Sequence, residues 1–78
     1  MKEYRRLDDY RVGSIIRYKT TYGRLRTVKV TRRLKNVRPG MGPGFEGLEL
    51  RPRLLTPITK LKFDSWGYDN QVKSIVRY

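Results

Sequence analysis

Residues 35–44, KNVRPGMGPG, hold two prolines and three glycines in ten positions. Neither a helix nor a central strand can run through such a stretch, because proline fixes φ and lacks an amide donor while glycine is costly to order. The segment must be a loop, and it divides the chain into parts built from short elements. Pro52 and Pro57 likewise exclude a helix interior and a central strand over residues 51–59.

What lies between these breaks alternates. Residues 12–20 (VGSIIRYKT) are rich in β-branched and aromatic side chains and predict a first strand. Thr21-Tyr22-Gly23 interrupts it, with Gly23 supplying the positive φ of a tight hairpin. Residues 24–33 (RLRTVKVTRR) predict the second strand. Val28 and Val30 share its inner pleat face, and Thr27, Lys29, Thr31 and Arg33 share the outer one. Residues 45–50 (FEGLEL) read as a third strand and residues 60–65 (KLKFDS) as a fourth, with Leu61 and Phe63 on one side. Residues 66–70 (WGYDN) suit a single tight 3-10 turn, and residues 71–78 (QVKSIVRY) close as a last strand. Residues 1–11 form an arm or one helical turn ahead of a single domain over 12–78.

Five short strands, a long Gly/Pro loop after the second and a 3-10 turn before the last predict an all-β domain, a small five-stranded SH3-like barrel. A five-stranded OB-like barrel is the alternative, but it asks for a helix between its third and fourth strands that this sequence does not offer. The expected core is Ile16, Val28, Val30, Leu48, Phe63, Trp66, Val72 and Ile75, with Trp66 plugging one end. Tyr18 points inward and Tyr68 is partly exposed.

Charge carries the functional argument. Between Tyr10 and Phe45 there are ten Lys/Arg residues and no Asp or Glu, which accounts for most of the formal net charge of +12. Like charges repel in a compact state, so a long acid-free block points to a partner that supplies the negative charge, most often a nucleic acid backbone. Arg17 and Lys19 alternate away from Ile16 and Tyr18, and Lys29 and Arg33 lie outside on the second strand. Arg24 and Arg26 share the valine face near the open hairpin end, Arg32 adjoins Arg33 in sequence, and Lys35 and Arg38 stand at the root of the loop. Pairing the first two strands gathers about six cations on a ribbon roughly 20 Å long. Tyr22, at the hairpin tip, is the best placed ring for stacking on a base.

Other functions fare badly. The chain has no cysteine and no histidine, which excludes disulfide frameworks, zinc fingers and any thiolate or imidazole mechanism. Asp8 and Asp9 are adjacent and Glu46 and Glu49 are of opposite parity, so neither pair converges. Asp64 and Asp69 suit capping and turn formation. The glycine loop lacks the Gly-Lys-Ser/Thr ending and the following helix of a nucleotide cradle. No catalysis, cofactor or metal is expected. No apolar run reaches the ~18 residues of a membrane span, and MKEYRRLDDY lacks a signal-peptide hydrophobic region, so the expected location is cytoplasmic.

Val12-Gly13 leading to Ile16-Arg17-Tyr18, Tyr22-Gly23, Thr31-Arg32-Arg33, the corner Pro43-Gly44-Phe45-Glu46-Gly47 and Trp66-Gly67-Tyr68-Asp69-Asn70-Gln71 resemble small basic proteins of actinobacterial phages and their hosts. The resemblance covers most of residues 12–75, and residues 51–59 are longer and richer in proline than that group suggests. It implies an origin and no activity; for a phage protein the compartment would be the host cytoplasm. The general plan is also similar to the SH3-like barrels of KOW and Tudor modules and of small archaeal chromatin proteins, many of which bind RNA, DNA or modified peptides. The expected function is therefore a non-enzymatic module binding DNA or RNA through backbone contacts of the first hairpin. Its rival is a phage-encoded effector that docks on an acidic surface of a host protein and modulates it.

Overall fold

The computed structural model describes residues 7–58 and 65–78. It contains five strands, β1 (Ile15–Lys19), β2 (Leu25–Leu34), β3 (Gly44–Leu50), β4 (Ser65–Tyr68) and β5 (Val72–Arg77), with a one-turn 3-10 helix over Asp69–Gln71. All pair antiparallel in one sheet of order β4-β3-β2-β1-β5. Among the described residues no helix is long and apolar enough to cross a membrane. The expected strand over residues 60–65 and the expected burial of Phe63 fall on positions 59–64, outside the described residues apart from Ser65.

The first hairpin forms as its sequence requires. Thr20 N and Arg24 O bond at 2.8 Å, Gly23 N reaches Thr20 O at 2.9 Å, and Gly23 takes φ +84°. Ile16 sits opposite Val28, and the alternation buries Val28 and Val30 while Lys29 stays exposed. Burying a valine stabilises by about 1.5–3 kcal/mol. Residues 7–11 are not helical. They bring Tyr10, 1 % exposed, into the core, a role the sequence did not suggest.

Phe45 is the centre of that core. Its ring meets Tyr18 at 5.1 Å and Tyr10 at 5.8 Å, both edge-on, a favoured geometry of aromatic pairs. Because Tyr18 stands on β1 and Phe45 on β3, two strands apart, the sheet must curl. It does not close: β4 and β5 remain its two edges. The Gln71 side chain ties the end of β4 to the end of β1. Its Oε1 accepts from Tyr68 N at 2.8 Å and its Nε2 donates to Lys19 O at 3.1 Å.

Two glycines make the curl possible. A Cβ on Gly47 would collide with Val28 Cγ1, and one on Gly44 with the Gly67 carbonyl and with Val37. The Gly-Phe-Glu-Gly corner thus lets β3 lie tight between β2 and β4 while Phe45 fills the interior.

Several expectations need correcting. Trp66 is not a plug: Ser65 pairs with Gly47 and Gly67 with Phe45, so both turn inward, while Trp66 pairs with Glu46 on the other face and is 45 % exposed. The space inside belongs to Phe45, whose Cζ would lie 2.9 Å from a Cβ on Gly67. The 3-10 turn starts three residues later than expected, at Asp69. Leu48 and Ile75 are half-buried, whereas Leu50, Ile15, Ser14 and Thr27 are buried.

Candidate nucleic-acid interface

The outer face of the sheet follows from the register, since residues directly paired across antiparallel strands point the same way. Lys29 pairs with Ile15, Arg17 with Thr27 and Lys19 with Leu25. Arg17, Lys19 and Lys29 therefore share one face, and all three are exposed. Ile15 also pairs with Arg77 of β5, which brings a further exposed cation into the same row. Sequence reasoning missed Arg77 because its neighbours lie far away along the chain; the exposed cation in the last alternating segment was its only trace.

Of the two consecutive arginines of β2, both expected at the binding surface, Arg32 lies there and Arg33 does not. Thr31 is an extra residue in the β2–β3 ladder, which runs Val30–Gly47, then Arg32–Glu46 and Arg33–Phe45. A bulge of this kind reverses the parity of everything beyond it. Arg32 is consequently exposed on the outer face, beside Glu46. Arg33 turns to the Phe45 side and is consumed internally. Its Nη1 donates to the Tyr10 and Asp8 carbonyls at 2.6 and 3.0 Å, and its Nη2 pairs with Asp69 Oδ2 at 2.9 Å. The guanidinium also lies 3.9 Å from the centroid of the Tyr10 ring. The Tyr10 hydroxyl donates to the other Asp69 oxygen. Burial, followed by the adjoining Asp69 carboxylate, pushes this phenol far above its ordinary range.

The other expected residues divide. Tyr22 is 94 % exposed at the hairpin tip, with Arg24 exposed beside it. Arg26, on the valine face, is half-buried and pairs with Glu49 at 3.2 Å. Lys35 is exposed in the loop. Arg38 lies 5.4 Å from the Trp66 centroid, across a small hollow shared with Leu34, Val37 and Glu46. Lys35 and Arg38 thus belong to the loop side of the sheet, away from the hairpin tip.

Between the hairpin end and the free edge of β4 runs a cleft of about 610 Å³. Tyr22 and Arg24 border it on one side and Trp66 and Tyr68 on the other, with Tyr18 and Arg26 between. The Trp66 and Tyr68 rings stand edge-on at 5.8 Å. Among the described residues no Asp or Glu lines it. Among the described residues no three carboxylates converge to hold a metal ion. Compared with known proteins, the chain matches no family model, no curated protein and no solved structure.

Proposed function

We propose that the chain is a non-enzymatic nucleic-acid-binding module that grips the phosphate backbone through the outer face of its first hairpin. The observation that carries this reading is the register: Arg17, Lys19, Lys29, Arg32 and Arg77 fall on one face, all exposed, and the hairpin itself contains no acid. An array of cations at strand spacing suits a polyanion better than a single acidic side chain. The architecture on which they stand is read as an open variant of the SH3-like barrel. The order β4-β3-β2-β1-β5 and the 3-10 turn before the final strand support that assignment.

The test is binding to a nonspecific duplex over a range of salt. Engagement of about five phosphates gives a slope of log affinity on log salt near −4, at about 0.9 per phosphate. A flat profile refutes backbone binding. A nuclease-resistant partner captured through the same face would instead establish the rival reading, an acidic surface on a host protein.

A further inference from the structure

We infer that the cleft between the hairpin tip and the edge of β4 accepts an unstacked nucleobase, so that the protein prefers single strands to duplex. This rests on the backbone-binding reading above and adds a second face to it. The outer face of the hairpin meets phosphates; the cleft, at the end of the same hairpin, meets bases.

Three features of the cleft point to this ligand. The first is its aromatic content. Tyr22 is exposed almost completely, and Trp66 nearly by half. Neither ring is needed to fill the core, which Phe45, Tyr10 and Tyr18 already occupy. Rings displayed beside a cationic surface are what single-stranded nucleic acids stack upon.

The second is charge. An aromatic recess can also hold a cation, but here Arg24 and Arg26 stand in the walls, Arg26 paired with Glu49 behind it, and among the described residues no carboxylate lines them. The recess therefore repels ammonium groups and favours a ligand with an electron-rich π face and hydrogen-bond acceptors. A nucleobase attached to a phosphate has both, and guanidinium groups bond base edges and phosphates alike.

The third is a fixed spacing. The Gln71 amide bonds Tyr68 N on one wall and Lys19 O at the base of the other. The walls are thus held apart by a preformed link, and its volume falls within the range of small-ligand sites. A base inside a duplex is stacked and paired, and cannot enter without being extruded at a cost of a few kcal/mol.

The experiment uses the fluorescence of Trp66, the sole tryptophan. The whole protein is titrated at one salt concentration with a single-stranded oligonucleotide, with an abasic strand of equal length, and with the matching duplex. The expected result is quenching by the base-bearing strand and little change with the abasic one, together with affinity for the single strand about tenfold above that for the duplex. Tyr22→Ala, at an exposed tip where folding is insensitive, removes that preference and leaves duplex binding unchanged. Equal affinity for all three ligands, with a steep salt dependence and no change in Trp66 emission, overturns the base-binding cleft and leaves backbone binding intact. Failure to bind any of them overturns both. Preferential binding of poly-glutamate, with no response to any strand, also overturns both and assigns the surface to an acidic protein.

Discussion

The Tyr10 hydroxyl donates to the carboxylate of Asp69, a residue 59 positions further along the chain. Arg33 completes the arrangement by pairing with Asp69 and covering the Tyr10 ring. One short cluster thereby fastens the segment before β1, the middle of the sheet and the turn before β5.

Removing the hydroxyl alone tests that cluster. Tyr10→Phe keeps the ring contact with Phe45 and leaves Asp69 with one partner fewer. A loss of about 1–3 kcal/mol is expected in chemical denaturation. A change within about 0.5 kcal/mol, the range of an ordinary surface substitution, would show that the clamp contributes nothing.

The same phenol sets an alkaline limit. Its folded value is raised by burial and by Asp69 above the ordinary 10.0, so the fold favours the neutral form. That contribution is present in full below about pH 10 and is lost as pH rises toward the folded value. Melting temperatures should fall above pH 10 more steeply for the native protein than for Tyr10→Phe. Parallel curves would assign the alkaline loss to other groups.

The neighbouring arginines of β2 should separate cleanly. Arg33→Ala removes the ion-pair partner of Asp69, leaving it the Tyr10 hydroxyl, and the donor to two backbone carbonyls, and a loss of about 2–4 kcal/mol is expected. Arg32→Ala should leave stability within about 0.5 kcal/mol and lower the salt slope by about 0.9. The reverse pattern would show that the bulge at Thr31 is misplaced.

Much of this was legible in the residues and some was not. Alternation is a local property, so Val28, Val30 and Lys29 could be placed from β2 alone. The fate of Arg33 depends on an extra residue opposite β3, and nothing within RLRTVKVTRR announces it. Trp66 departs from the expected plug for a related reason. Its exposure follows from its pairing with Glu46 across β3 and from Phe45 occupying the space that Gly67 leaves empty. Tyr10 carries no periodic signal, because its place in the core is fixed by Asp69 and Phe45, both remote in sequence. At the site, the cations of the hairpin were legible as a set, whereas Arg77 and the cleft required the register.

Position should outweigh total charge in binding. Arg17→Glu/Lys29→Glu changes net charge as much as Arg51→Glu/Arg53→Glu, and all four side chains are exposed. The first pair lies on the shared outer face and should weaken duplex binding at least tenfold more at one salt concentration. Equal losses would mean a diffuse attraction with no defined face.

Gly47 should tolerate nothing larger. Alanine there drives a Cβ into Val28 and the Lys29 carbonyl, and the β2–β3 contact must open. A cost of about 1–3 kcal/mol is expected from the resulting strain, read as a lowered denaturation midpoint. A neutral Gly47→Ala would show that the two strands are less tightly apposed.

The placement of β1 between β2 and β5 also governs when the protein becomes itself during synthesis. Ile16 has Val28 as one neighbour, made soon after it, and Ile75 as the other. Until β5 leaves the ribosome, β1 is an exposed edge rich in β-branched and aromatic groups, and Tyr18 lacks Val72 as its cover. Such non-local pairing forms slowly because the intervening chain must be closed into a loop first. Over that interval the net charge of +12 opposes association between copies through the open edge.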